Sequence, residues 1–285
     1  MREALPGLAF ARIERNDYGE DNLVFLLDRS WVVRVPRVPE YRWRFAAELR
    51  LLDALAPRSP VPVPRYEHVA ADGSMGAYRR IDGTELTPPV FALLDAASRR
   101  SVLIALARFL GALHALPEET IRLTDGMIQR RWSGEQYAAR YRGMRRAKIA
   151  RVTPPAMLGR FDRFHEALAD ERPHVSRLTH DDLIEDHILV RADGHLAGVI
   201  DFSDAAWGDP ASDFAWFWRL GEKNVDLVLS HYTLAAGDSG LKLRSRWNYV
   251  RFLVNQIASG DNAKWSLPAA GAMRELDRHL GALGL

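Results

Sequence analysis

Three side chains in one short region carry a recognisable chemistry: Asp182 and His187 in His180-Asp181-Asp182-Leu183-Ile184-Glu185-Asp186-His187-Ile188-Leu189-Val190, and Asp201 in Val199-Ile200-Asp201-Phe202. Ile188-Leu189-Val190 is a β-rich apolar run, Ala192-Asp193-Gly194-His195 is a turn signal, and 196–200 is a second apolar run, so the spacing predicts a β-hairpin. With the turn centred on Asp193-Gly194, antiparallel register sets His187 opposite Ile200 and makes Asp201 its neighbour at the open end. Two candidate metal ligands therefore meet at one mouth. Asp182, five residues before His187, lies in the entering loop and stands beside that mouth. Phosphoryl transfer needs such a set: a carboxylate that orients an acceptor hydroxyl and receives its proton, and ligands for the divalent ion that bridges nucleotide phosphates.

The pattern H-x-D-x-x-x-x-H-x-L, followed by I-D-F, resembles the catalytic and metal-binding motifs of the aminoglycoside phosphotransferase family, relatives of the protein kinases. Gly208-Asp209-Pro210-Ala211-Ser212-Asp213 matches the family's G-D-P-x-x-D element. The resemblance implies an α+β, bilobal, protein-kinase-like fold: a small antiparallel β-sheet lobe that binds nucleotide, here 1–82, and a larger, mostly helical catalytic and substrate-binding lobe, here 83–285. Carried over residue by residue, it makes Asp182 the catalytic base or orienter, His187 and Asp201 the metal ligands, and His180 a structural support of the catalytic loop. The commoner second ligand is Asn; His187 resembles the branch containing aminoglycoside 2''-phosphotransferases and macrolide phosphotransferases. Imidazole suits hard Mg²⁺ less well than an amide oxygen, which points to a weak or water-mediated contact, or to Mn²⁺. Taken alone, His187 also fits a strand-start side chain satisfied by a neighbouring carbonyl.

The elements that must position these groups begin with strands at 8–13, 23–27 and 31–35, the first two separated by the polar break 16–22 and the last two by Asp28-Arg29-Ser30. By resemblance the polar loop ending in Asn22 covers the nucleotide phosphates, although an ordinary hairpin would read the same way. Arg34 occupies the third-strand position where kinase-like folds place a phosphate-binding lysine. An amphipathic helix at 40–55 turns Phe45, Leu49, Leu52 and Leu55 to the core, and Glu48 matches the helical glutamate that pairs with the strand cation. Arginine keeps its charge and can hold a carboxylate and phosphate oxygens together. Strands at 65–70 and 76–81 complete a five-stranded lobe that leaves through Asp82-Gly83-Thr84. The main chain at Arg79 and Ile81 is then the candidate reader of the nucleotide base, and backbone contacts do not separate ATP from GTP.

In the second lobe, 98–116 reads as a helix with Val102, Leu103, Leu106, Phe109, Leu110 and Leu113 at helical spacing and a structural His114 at its end. From 116 to 177 the chain reads as helical, with Tyr137, Tyr141, Phe161 and Phe164 building core and part of one wall of the acceptor cleft. Between Arg130 and Arg151 eight basic residues face only Glu135; a solvated surface and a substrate or partner role both fit. Asp209 before Pro210 is a helix start, Asp at the cap and Pro in the first turn, and by resemblance Asp213 braces the catalytic loop. Further helices are expected at 214–220, 225–235, 242–258 and 267–280.

The chain has 285 residues, 47% hydrophobic and 27% charged, with a net charge of +2 and no cysteine. Two domains sharing a cleft fit that length; disulfides and thiol chemistry are excluded. The amino terminus lacks the apolar core of a signal peptide and no run is long enough to span a bilayer, so a cytoplasmic, non-membrane protein is expected. With no recognised nucleic-acid module, nucleic acid is not an expected partner. The expectation is an enzyme: a nucleoside-triphosphate-dependent kinase that moves the γ-phosphate of ATP or GTP, with Mg²⁺ or Mn²⁺, to a hydroxyl of an aminoglycoside-type antibiotic, conferring antibiotic resistance. A polycationic acceptor wants acids, yet 214–285 holds only Glu222, Asp226, Asp238, Asp261, Glu275 and Asp277. A macrolide, suited by Trp207, Trp216, Trp218, Trp247 and Trp265, a metabolic alcohol, and a nucleotide-binding regulator without catalysis are the alternatives.

Overall fold

A computed structural model gives the fold and describes residues 3–16, 21–123, 126–170, 174–259 and 267–285. Its first five strands are β1 (Ile13–Asn16), β2 (Asn22–Leu27), β3 (Trp31–Pro36), β4 (Tyr66–Val69) and β5 (Gly76–Arg79), hydrogen-bonded antiparallel in the order β1-β2-β3-β5-β4. The first strand lies later than the apolar run at 8–13 suggests. Leu5 and Leu8 are instead buried against Leu27, Trp31, Val33, Ala70 and Ala77, with Gly7 at φ +88° turning the chain between them. The Asp28 carboxylate accepts from the Ala11 and Arg12 amides at 3.0 and 2.7 Å, so those donors leave the ladder and pairing starts at Ile13. The loop residues 17–20, including Gly19, lie outside the described residues.

Helix α1 (Arg42–Leu55) buries Phe45, Ala47, Glu48, Leu51, Leu52 and Leu55. Leu51 replaces the expected Leu49 in the stripe because Glu48 itself faces inward, and the positions three and four residues on share its face. Pro62 then ties the small sheet to the next one: its carbonyl accepts from the Val199 amide at 3.0 Å. A Cβ at Gly198 would stand 2.7 Å from that oxygen and 3.0 Å from Ile81 Cγ2, so this close crossing requires glycine.

Beyond the crossing, β6 (Thr84–Glu85) pairs with β8 (Ile188–Val190), which pairs with β9 (Leu196–Val199), while β7 (Arg177–Thr179) pairs with β10 (Ala206–Gly208). Ile188 opposes Val199, and the Ile200 amide donates to the His187 carbonyl at 3.0 Å, so the expected hairpin register is present. The helices are α2 (Pro88–Leu93), α3 (Ala96–His114), α4 (Gly134–Arg140), α5 (Arg146–Ile149), α6 (Pro155–Ala169), α7 (Glu222–His231), α8 (Leu241–Ser259) and α9 (Ala269–Ala282). Asp95 caps α3 by accepting from the Ser98 amide at 2.8 Å. Ser133 and Gln136 form a capping box at α4, whose end runs through a π turn, Tyr141–Arg145, into α5. The expected helix at 214–220 is instead two 3-10 segments, Pro210–Phe214 and Trp216–Leu220, closed by Gly221 at φ +98°.

The large core joins the apolar face of α3 to Phe214, Trp216, Phe217, Trp218 and Trp247. Trp216 and Trp218 are thus packed in the core, while Trp247, also part of the core, borders a cavity with Trp132 and Trp207; Trp265 lies outside the described residues. No helix among the described residues is long and apolar enough to cross a membrane. His279 of α9 is buried with its ring 4.9 Å from that of Tyr249 and 5.5 Å from that of Trp218. Burial, helped by Arg278 and Arg246, lowers its pKa to about 4. The unfolded chain takes up this proton near pH 6.5 and the folded chain only near 4, so its contribution is complete above 6.5 and declines as pH falls toward 4. His279→Gln is expected to flatten the stability-versus-pH curve in that window by less than about 1.4 kcal/mol per pH unit, read from urea melts.

Candidate active site

The loop leaving β7 is held by a buried carboxylate. Asp213 accepts from the His180 amide at 2.8 Å and the Asp181 amide at 2.9 Å, and its Oδ2 lies 3.0 Å from His114 Nε2. The other His114 nitrogen lies 2.7 Å from the Tyr232 hydroxyl. Burial would raise the Asp213 carboxyl, but His114, His180 and these amides outweigh it and keep it below the usual carboxylate range. Asp181 sits at φ +61°, a left-handed conformation costly for a side chain with a Cβ, and its amide is one of the two that Asp213 fixes. His180 Nε2 donates to the Ile200 carbonyl at 3.0 Å, and burial lowers its pKa to about 4, so it serves as a neutral strut between loop and hairpin.

On that frame Asp182, His187 and Asp201 converge as the hairpin register predicts. His187 Nδ1 donates to the Asp182 carbonyl at 2.7 Å and lies 3.5 Å from Asp182 Oδ2; its Nε2 lies 3.6 Å from Asp201 Oδ2. One ring nitrogen is thus satisfied by a carbonyl, as the strand-start reading expects, and this contact sets the orientation of the other toward Asp201. Burial opposes charge on the imidazole, but Asp182 and Asp201 outweigh it and raise its pKa above the ordinary value.

Asp201, at φ +64°, is shared with the small lobe. Arg34 Nη2 donates to Asp201 Oδ1 at 2.7 Å and to Ser203 Oγ at 3.1 Å, and the Ser203 hydroxyl donates to Asp201 Oδ1 at 2.9 Å. Arg34 Nη1 donates to Glu48 at 2.8 Å, and the Tyr66 hydroxyl donates to the same oxygen at 3.2 Å. Burial raises the Glu48 carboxyl to about 7, with Arg34 pulling the other way. Burial also opposes ionisation of Asp201, but Arg34 and then His187 hold it well below the usual range. One guanidinium thus balances two carboxylates, one from each lobe.

An Asp201 carboxylate oxygen and a His187 nitrogen are a donor pair that a divalent cation accepts when phosphate oxygens and water complete its shell. Among the described residues no group of three His, Cys, Asp or Glu side chains is arranged to hold a metal by itself. Asn22, Arg79 and Ile81 stand outside this bonded network. Asn22 is buried at the start of β2, opposite Pro36. The Arg80 amide donates to the Ser30 carbonyl at 2.9 Å, so the alternation of the ladder turns the Arg79 peptide groups away from β3. Arg79 lays its guanidinium 3.7 Å from the centre of the Trp31 ring, and Ile81 meets Gly198 at the crossing.

Several site residues are not singled out by sequence. Arg131 Nε lies 3.2 Å from Asp181 Oδ1, with only 5% of its side chain exposed, yet in the sequence it is one arginine of a long basic run. Asp204 is raised to about 7 by burial and by Asp182, Asp21, Asp201 and Asp181 around it; its only sequence signal is its place just after the I-D-F motif. A cavity of about 300 Å³ opens beside Asp181 and Asp204, and Tyr137 and Tyr141 line it. Phe161 and Phe164 are core instead.

The model of the phosphotransferase enzyme family matches residues 12–249. Among solved structures the chain is similar to the GDP and kanamycin complex of APH(2'')-IIIa, at 21% identity and a TM-score of 0.78, covering 99% of this chain and 97% of that one. It is also similar to the apoenzyme of macrolide 2'-phosphotransferase MphH from Brachybacterium faecium, at 26% identity and a TM-score of 0.64, covering 99% and 95%. A curated relative, the uncharacterized protein YcbJ of Bacillus subtilis (strain 168), is 36% identical over 73 residues, 25% of this chain and 24% of its own length. The match thus spans about a quarter of that relative.

Proposed function

The chain belongs to the phosphotransferase enzyme family, and from that premise we propose that it is a small-molecule kinase moving the γ-phosphate of ATP or GTP to a hydroxyl group. An aminoglycoside-type antibiotic is the acceptor class supported by structural likeness to a kanamycin-bound enzyme; a macrolide is supported by the likeness to MphH. The observation that carries the reading is the convergence of Asp182, His187 and Asp201 at one mouth, joined through Arg34 to Glu48.

Asp182 orients the acceptor hydroxyl and takes its proton. His187 and Asp201 would hold a divalent cation, Mg²⁺ or Mn²⁺, which would supply charge neutralisation to the nucleotide phosphates. Arg34, positioned by Glu48, contacts phosphate oxygens. Asn22 borders the loop over the phosphates, and the main chain at Arg79 and Ile81 reads the base. Residues 1–82 form the nucleotide lobe and 83–285 the catalytic and acceptor lobe, and catalysis is positioning and charge neutralisation. A second acceptor reading, a metabolic hydroxyl compound, is favoured by the arginines around the cavity beside Asp181.

The test is transfer from γ-labelled ATP and, separately, GTP with Mg²⁺ onto aminoglycosides, macrolides and small metabolic alcohols. Labelled product from one class is the expected outcome. Nucleotide binding without transfer to any acceptor would favour the regulator instead.

A further inference from the structure

The family motifs do not account for the charge around the cavity beside Asp181 and Asp204. Arg44, Arg130, Arg131, Arg140 and Arg251 border it, and among the described residues Asp181 and Asp204 are the acids there. Three of these arginines have carboxylates of their own: Arg44 lies 2.9 Å from Asp21, Arg130 2.7 Å from Glu118, and Arg131 3.2 Å from Asp181. Arg140 and Arg251 meet aromatic rings instead. The Arg140 guanidinium is 4.9 Å from the centre of Trp132 and that of Arg251 is 3.9 Å from the centre of Tyr137, the two rings being 5.5 Å apart. Among the described residues neither forms an ion pair with a carboxylate, and the buried Arg251 Nε has no hydrogen-bond partner.

Burial, with Arg131 beside it, lowers the Arg251 pKa from its ordinary value against the opposing pull of Tyr137 and Asp181, yet a guanidinium stays protonated at neutral pH. Asp181 is thus shared between Arg131 and Arg251, so the arginines of this wall outnumber the carboxylates that balance them, and an incoming anion would make up the difference. A polycation would meet net repulsion there. The cavity volume is at the small end of ligand pockets, and Trp132 and Tyr137 offer it flat apolar surface.

We propose that Arg251 and Arg140 bind an anionic group, a carboxylate or phosphate, on the hydroxyl compound that Asp182 presents to the nucleotide. This rests on the phosphotransferase reading and names its acceptor class: a small hydroxylated organic anion. In the transfer the acceptor oxygen bonds to the γ-phosphorus as the bond from that phosphorus to the β,γ-bridging oxygen breaks. The hydroxyl proton passes to Asp182, and the products are the phosphorylated anion and the nucleoside diphosphate.

The experiment is calorimetric binding of glucose, glucuronate, glucose 6-phosphate and kanamycin to the full chain with Mg²⁺ and a non-hydrolysable ATP analogue. The first three share a scaffold and differ in charge, and the two anions distinguish carboxylate from phosphate as the source. At least one anion is expected to bind about tenfold or more tightly than glucose. In Arg251→Ala that advantage is expected to fall to about threefold or less. Arg140→Gln, on the exposed face of α4, is the second variant should Arg251→Ala not fold, and is expected to lower the same advantage. Equal binding of the three glucose compounds, tighter binding of kanamycin than of both anions, or binding of none of the four would overturn the proposal. Failure of the phosphotransferase reading would look different: the anions bind, but in a parallel assay with γ-labelled ATP in place of the analogue, γ-phosphate is lost at equal rates with wild type and Asp182→Asn.

Discussion

Asp182→Asn is expected to lower kcat for phosphate transfer by about 10²- to 10⁴-fold, the range for removing a positioned acid or base. The amide keeps the shape of the side chain, and the Asp182 group that orients His187 is its main-chain carbonyl, which the substitution leaves in place. Nucleotide binding does not draw on the Asp182 carboxylate in the proposed scheme, so the nucleotide KM is expected to stay within about threefold. Steady-state transfer kinetics, with the nucleotide Kd measured beside them, check both halves. An unchanged kcat would remove Asp182 from the chemistry.

Arg34→Met is expected to destabilise the fold by about 3–5 kcal/mol, the cost of breaking a buried ion pair from one side. Arg34 and Glu48 expose 4% and 1% of their side chains, so Glu48 does not regain water easily when the guanidinium is removed, whereas Asp201, 38% exposed, keeps access to solvent. Urea denaturation reads the loss. The double variant Arg34→Met/Glu48→Met is expected to recover part of it, because one stranded carboxylate goes too; a single-variant loss under about 1 kcal/mol would give this pair no more weight than a surface salt bridge. Nucleotide affinity is expected to fall in both variants.

The convergence of Asp182, His187 and Asp201 was legible in the sequence because it depends on local periodicity. A two-residue alternation and the Asp193-Gly194 turn were enough to set His187 beside Asp201, and the observed Ile188–Val199 pairing agrees. Where the reading failed, a tertiary contact had overridden a local signal. The run at 8–13 looks like a strand, but Asp28, seventeen residues from Ala11, takes its amides. Glu48 sits in the apolar stripe of α1 because Arg34 awaits it there, so a pattern built on apolar residues rotated the helix toward Leu49. Arg131 and Asp181 are distant in sequence, and nothing in the basic run distinguishes the arginine that makes this pair from its neighbours.

The bracing of the catalytic loop has a bearing on how such a chain diversifies. His114 and Tyr232 support Asp213 from one side of the loop, while Arg140 and Arg251 stand on α4 and α8 at the cavity. In the proposed scheme, the loop that carries Asp182 and the cavity wall that chooses the acceptor therefore reside on different elements. A lineage can redraw the cavity, exchanging charge for apolar surface, without disturbing the loop that performs transfer. Arg131 joins the two halves, since it borders the cavity and binds Asp181. Drift toward a new acceptor is least constrained at the exposed Arg140, and most constrained at Arg131 and at Arg251, which packs on Tyr137 and acts on Asp181.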